Sequence, residues 1–338
     1  MIFTKQKLNK LEEQLEKAKN IVVLAHQSPD GDAVGSSLAL CTYLKKIYKK
    51  EITVCLPDPV PKSFHWLTNA DDILSFHNDS EKVKELISAH SLVFNLDYNQ
   101  LSRAGEGLEK LNKENSPFNV MIDHHLFPSD EFDISFSDPK SCATAQMIYD
   151  FIVARGHENY IDEQIGEMIY CGIMTDTGSF RFPSTTAHTH RVIAHLLEIG
   201  TENAKVHEAV YDNNSINRLR LRARVIENME IIEGKGIAIL KLSEDDMKNY
   251  NYEDGDADGL VNVGLSIQGI DKAMLLKQRS DVVKISFRSK GKDNPVNEMA
   301  SKYFSGGGHA NAAGGIFEGS IEDTVSEIKK IVDEFSLD

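Results

Sequence analysis

Three short apolar runs constrain this chain more than any other feature, because each ends on residues able to bind metals or move protons. Ile21 to Ala25 leads into His26, Leu92 to Leu96 into Asp97, and Val120 to Ile122 into Asp123, His124 and His125. Apolar runs this short are of buried-strand type, and Ile52 to Leu56 is another. Helix-patterned segments separate and follow them: Val34 to Tyr48, with Leu38, Leu44 and Ile47 on one face, then Cys142 to Ala154, Glu163 to Ile173 and His188 to Ile199. Strands alternating with helices predict an α/β fold whose mostly parallel sheet is flanked by helices. Ligands of such sheets bind at the carboxyl ends of the strands.

The second half changes character. Gly236 to Leu242, Ala273 to Arg279 and Val282 to Arg288 read as strands, the last two close enough for a hairpin, and Pro295 to Tyr303 and Ile321 to Phe335 read as helices. This predicts a smaller mixed α/β domain. We place the first domain at 1–199, a helical or extended connector at 200–217, and the second domain at 218–338.

The segment Met1 to Asn20 carries Leu8, Leu11 and Leu15 at helical spacing among Lys, Glu and Gln, which predicts an amphipathic helix and not a signal peptide. No apolar run approaches the roughly 18 residues that span a bilayer, so a cytoplasmic location without membrane contact is expected. Cys41, Cys55, Cys142 and Cys171 lie far apart with no Cys-x-x-Cys pair, and are expected to be reduced and buried. The formal net charge is -15. Proteins that hold long nucleic acid carry basic stripes that replace counterions. The cluster Lys45, Lys46, Lys49 and Lys50 sits at a helix end, where cations suit the macrodipole. A long duplex partner is therefore not expected, and a phosphate-bearing substrate should be small.

The candidate chemistry centres on metals. His26 is followed by the tight turn Pro29-Asp30-Gly31-Asp32 leading into a helix, and Asp176 ends another helix pattern before Gly178. Mixed imidazole and carboxylate donors suit Mn²⁺, Zn²⁺, Fe²⁺ or Co²⁺ better than Mg²⁺ or Ca²⁺. They are too many for one tetrahedral site and suit two divalent ions about 3.5–4 Å apart, a pair that clamps both oxygens of an in-line phosphoryl displacement. Near the C-terminus, Gly306, Gly307 and Gly308 precede His309, a pattern expected to form a backbone nest for an anion. Arg288, at the end of a strand in the same domain, could grip a phosphate with its guanidinium fork.

Together these segments resemble the DHH phosphoesterases. The HxxPDxDxxGS-like start (His26 to Ser36), the Asp97 strand end, Asp123-His124-His125 and Thr175-Asp176-Thr177-Gly178 match the four motifs of that family, and Gly306 to Gly314 matches its associated C-terminal domain. The resemblance implies that His26, Asp30 and Asp97 hold one ion, and that Asp32, Asp97, His124 and Asp176 hold the other, with Asp97 as the bridge. It implies Mn²⁺ as the usual metal. His125 would face the substrate, Asp123 would orient a ligand, and Arg288, Gly306, Gly307, Gly308 and His309 would bind phosphate or nucleotide in a cleft between the domains. The layout resembles the nano-RNases of the family, which cleave short RNA and also act as 3′-phosphoadenosine 5′-phosphate phosphatases. A homodimer is compatible with it. Three other readings share parts of the pattern: a phosphodiesterase for cyclic or linear dinucleotides, an inorganic pyrophosphatase or exopolyphosphatase, and a non-catalytic nucleotide sensor. RecJ-like exonucleases are longer and carry a further nucleic-acid-binding domain.

Overall fold

A computed structural model describes residues 2–334 apart from 89, 254 and 292, with only the backbone of 309, 333 and 334. The chain forms two compact units, Met1–Asn213 and Asn214–Asp338.

In the first unit the order is α1 (Lys5–Lys17), β1 (Asn20–Leu24), α2 (Gly31–Ile47), β2 (Glu51–Leu56), β3 (Leu74–Ser75), α3 (Phe76–Leu86), β4 (Ser91–Leu96), α4 (Glu106–Asn115), β5 (Phe118–Asp123), β6 (Ile134–Ser137), α5 (Thr144–Ala154), α6 (Glu163–Asp176), α7 (Ala187–Glu198) and α8 (Asn203–Tyr211). The strands form one sheet in the order β3-β2-β1-β4-β5-β6, parallel throughout. This is the doubly wound order, in which the chain leaves β1 in one direction across the sheet and later returns to build outward from its other side. The switch point therefore lies between β1 and β4, the place where such sheets bind ligands.

The strands read as unbroken apolar runs because both of their faces are covered. Ile21, Val23, Leu92, Phe94, Val120 and Ile122 pack into one core with α1, α2, α5, α6 and α7. The alternating residues Val22, Leu24, Val93 and Met121 pack into another, with α3 and α4. Each such side chain contributes about 1.5–3 kcal/mol by leaving water. Helices α2 and α6 approach closely through glycine: a Cβ on Gly35 would sit 2.5 Å from the Met168 carbonyl, and one on Gly172 would sit 2.8 Å from Asp32 Oδ1. Glycine here lets two backbones meet directly under the site.

The second unit contains α9 (Ile216–Glu227), β7 (Glu230–Ile232), β8 (Ile237–Leu242), α10 (Glu244–Asn249), α11 (Leu260–Leu265), β9 (Lys272–Arg279), β10 (Val282–Ser289), α12 (Asn297–Tyr303), β11 (Gly307–His309), β12 (Ala312–Glu318) and α13 (Ile321–Glu334). Its sheet has the order β11-β12-β10-β9-β8-β7, antiparallel except for β8 with β9. The mixed α/β character and the β9–β10 hairpin are as the sequence predicts. The expected helix end at Phe335 lies outside the described residues. The segment 200–217 contains α8, whose Val206 is buried in the core of the first unit. The four cysteines are free and buried. Among the described residues, no helix is long and apolar enough to cross a membrane.

Candidate metal centre

Because β1, β4 and β5 are neighbours in the sheet, their carboxyl ends lie side by side, and the residues that follow them converge. His26 Nε2 lies 3.3 Å from Asp97 Oδ2 and 3.9 Å from Asp30 Oδ1. His124 Nε2 lies 3.4 Å from Asp97 Oδ1, 3.5 Å from Asp176 Oδ2 and 3.9 Å from Asp32 Oδ2. Among the described residues, three overlapping sets have donor atoms close enough to hold an ion: His26, Asp30 and Asp97; Asp32, His124 and Asp176; and Asp97, His124 and His125.

Each side chain is held by local structure. Asp30 is the N-cap of α2, its Oδ1 accepting from the Asp32 and Ala33 N–H groups at 3.0 and 3.1 Å. Asp32, in the first turn of α2, accepts from the N–H groups of Thr144 (2.6 Å) and Ala145 (2.8 Å) at the start of α5. Asp97 follows β4 with φ 62°, a left-handed conformation uncommon for a residue other than glycine. The Thr144 hydroxyl donates to Asp97 Oδ1 at 3.0 Å. Asp176 is the last residue of α6.

The sequence-predicted donors therefore come together: His26, Asp30, Asp32, Asp97, His124 and Asp176 in these sets, with His125 3.8 Å from Asp97. Asp123, expected to orient a ligand without a named partner, lies against His125. Its Oδ1 meets His125 Nδ1 at 2.7 Å, whereas His124 Nδ1 rests on the Ser141 carbonyl at 3.3 Å. Thr144, Ala145 and Ser141 were not singled out from the sequence. Two of the three act through backbone groups alone, and the only hint is the small, polar run Ser141 to Ala145 after a strand.

The electrostatics fit a cation site. Asp32 is pushed well above the usual carboxylate range by burial and by the charges of Asp97 and Asp176. Asp176 is pushed up to about 7 by burial, with Asp30 and Asp97 adding to it. Burial opposes a charge on His26, yet its bond to Asp97 and the fields of Asp97 and Asp30 raise it to about 9. Asp97 goes the other way: burial favours its neutral form, but the bonds from His124 and His26 hold it ionised. Crowded carboxylates of this kind are destabilised as anions until a positive charge joins them. Among the described residues Asp123 Oδ2 is buried without a hydrogen-bond partner, a further acceptor that a cation-rich site would satisfy.

In the second unit, Arg288 and Ala312 are register partners on β10 and β12, and Ala312 pairs in turn with His309 on β11. Arg288 and His309 therefore occupy one cross-strand row. The expected glycine nest is replaced by antiparallel pairing of β11 with β12. The Gly306 N–H donates to the Ala300 carbonyl at 3.0 Å, so that amide is not available to an anion. A Cβ on Gly306 would overlap the Gly314 carbonyl, and one on Gly308 would sit 2.5 Å from the Ala312 carbonyl. Gly306 and Gly308 serve close backbone approach. Arg288 Nη1 donates to the Phe287 carbonyl at 2.9 Å.

Residues 20–173 match the family model for the DHH family, N-terminal domain, and residues 234–336 match the DHHA1 domain. A Thermus thermophilus protein named bifunctional oligoribonuclease and PAP phosphatase NrnA is 32% identical over 300 residues, covering 88% of this chain and 84% of the relative. The chain belongs to the DHH family. A Streptococcus mutans relative named probable bifunctional oligoribonuclease and PAP phosphatase NrnA is 28% identical, covering 92% of this chain and 94% of its own length. A solved exopolyphosphatase-related protein from Bacteroides fragilis is 33% identical, with a TM-score of 0.94 over 98% of this chain and 97% of that one. As a DHH-family protein with this Asp–His cluster, the chain is a metal-dependent phosphoesterase that uses divalent ions.

Proposed function

We propose that this DHH-family enzyme hydrolyses short oligoribonucleotides and 3′-phosphoadenosine 5′-phosphate with two Mn²⁺ ions. The observation that carries the reading is the pair of donor sets on either side of Asp97: His26 and Asp30 on one, Asp32, His124 and Asp176 on the other. In this reading Asp97 belongs to both ion sites. When bound, the ions supply Lewis acidity at the phosphoryl oxygens and an ionised water near neutral pH.

The protein's own groups prepare that site. Thr144 and the start of α5 fix Asp97 and Asp32, so the acceptors are already aimed. Asp123 receives the Nδ1–H of His125, which sets the tautomer and orients the ring. His125 Nε2 is the proposed proton donor to the leaving oxygen. Arg288 on β10 and His309 on β11, one strand apart across β12, are the proposed phosphate-binding groups of the second unit. The net charge of -15 suits a short substrate gripped by a few cations, not a long one drawn in by a basic surface.

The test is a rate comparison with Mn²⁺ present, on RNAs of two to five nucleotides, 3′-phosphoadenosine 5′-phosphate, linear and cyclic dinucleotides, and pyrophosphate. Short RNA and 3′-phosphoadenosine 5′-phosphate should lead. Faster turnover of pyrophosphate or cyclic dinucleotides would replace this substrate assignment.

A further inference from the structure

The loop after His125 carries a feature that the metal centre does not explain. Phe127 is 86% exposed, the most open of the large apolar residues among those described, and its φ is 60°. A bulky residue with positive φ is a genuine outlier, and the following Pro128 restricts Phe127 further by disfavouring helical backbone before it. The conformation is imposed by Asn99, two residues beyond Asp97. The Asn99 Nδ2 donates to the Leu126 carbonyl at 2.7 Å and to the Phe127 carbonyl at 3.3 Å, while the Asn99 carbonyl accepts from Ser129 N–H at 2.8 Å. Among the described residues, the Phe127 ring has no stacking partner within the chain.

Other aromatics beside the metal motifs have structural reasons for their positions. Phe180, also at positive φ, packs on Tyr170, His190 and His207. Phe182 lies over Gly178, where a Cβ would meet its ring at 2.5 Å. Phe127 has strain, exposure and a dedicated clamp, but nothing to pack against. Strain of this kind persists only where surrounding structure imposes it, and it concentrates at ligand-binding positions.

We infer that Phe127 is a stacking platform for a nucleobase of the substrate, held beside the metal centre by Asn99. The inference rests on the proposed action on nucleotides and names a specificity residue for it. An aromatic face accepts any base, so the platform favours nucleotides over bare phosphates without selecting sequence. The clamp joins the loop carrying Phe127 to the segment after Asp97, which keeps the ring at a fixed place relative to the shared carboxylate.

The test uses Phe127→Ala and Phe127→Trp in the full chain with Mn²⁺. The substrates are a 5′-phosphorylated adenine dinucleotide and its analogue lacking one base. In Phe127→Ala, the ratio of kcat/KM on the dinucleotide to that on the abasic analogue should fall on the order of tenfold, mainly through KM. Phe127→Trp should keep the ratio. A dinucleotide containing 2-aminopurine should lose fluorescence on binding the wild type and the Trp variant, but not the Ala variant. An equal loss on both substrates would overturn the inference, as would an unchanged ratio. A change in sedimentation in Phe127→Ala with the ratio intact would assign the ring to contact between copies of the chain, and would also overturn it. If 2-aminopurine is quenched but the wild type cleaves neither substrate, stacking is supported and the proposed activity is what fails.

Discussion

His26 and Asp97 meet at 3.3 Å from the ends of two strands, β1 and β4, that are adjacent in space but separated in sequence by the whole outward arm of the sheet. The contact spans the switch point. On its other oxygen, Asp97 meets His124 at 3.4 Å, from the neighbouring strand β5. One carboxylate is thus the common partner of imidazoles from both sides.

Thr144 should matter through Asp97. Its hydroxyl holds Asp97 Oδ1 while its N–H holds Asp32, so Thr144→Val removes the first bond and keeps the second. The expected result is a loss of Mn²⁺ affinity of about 10–100-fold, read by titration calorimetry, with little change in folding. An unchanged affinity would show that Asp97 does not need this bond to hold metal.

Gly172 should be intolerant of even one methyl group. A Cβ there would lie 2.5 Å from that of Ala145 and 2.8 Å from Asp32 Oδ1. Gly172→Ala must push α6 from α2 or move the carboxylate. We expect destabilisation of about 1–3 kcal/mol in chemical denaturation, together with weaker metal binding.

Metal binding should depend on pH in a definite direction. In the metal-free protein Asp176 holds its proton up to about 7 and His26 up to about 9. Ligands must shed those protons to coordinate, so loading releases protons and apparent affinity rises between pH 6 and pH 8. Proton release on Mn²⁺ addition in weakly buffered solution measures this. Affinity that is flat across that range would contradict the ligand assignment.

Asp162 caps α6, the helix that carries Asp176. Burial would raise its carboxyl, but Lys46 at 2.6 Å and the Ile165 N–H hold it below the usual range. A depressed folded pKa contributes stability above the unfolded value, lost as pH falls through the folded one. Asp162→Ala should cost about 1 kcal/mol near neutral pH. Urea denaturation should show the gap between wild type and variant closing below about pH 4.

Much of the site was legible because the strands are buried on both faces. Ile21, Val22 and Val23 all read as apolar, and the donor His26 follows almost at once. Asp123 was legible as a supporting residue, but its partner was not: alternate orientations after β5 put His125, and not His124, against it. Ser141 and Ala145 left only a faint trace, because they act through a carbonyl and an N–H that every residue type offers. The two-residue β3 is too short to show periodicity. The run at Gly306 to Gly308 reads as an anion nest by composition, yet Gly307 and Gly308 pair with β12, and the Gly314 and Ala312 carbonyls crowd out a side chain at Gly306 and Gly308.

The most direct measurement is the metal stoichiometry of the wild type and of Asp97→Ala, by titration calorimetry with Mn²⁺ and elemental analysis of the dialysed protein. A shared Asp97 predicts two ions per wild-type chain, and in Asp97→Ala the loss of both high-affinity sites together with hydrolysis. One ion per wild-type chain, or a variant that keeps two ions and its activity, would contradict the two-metal centre.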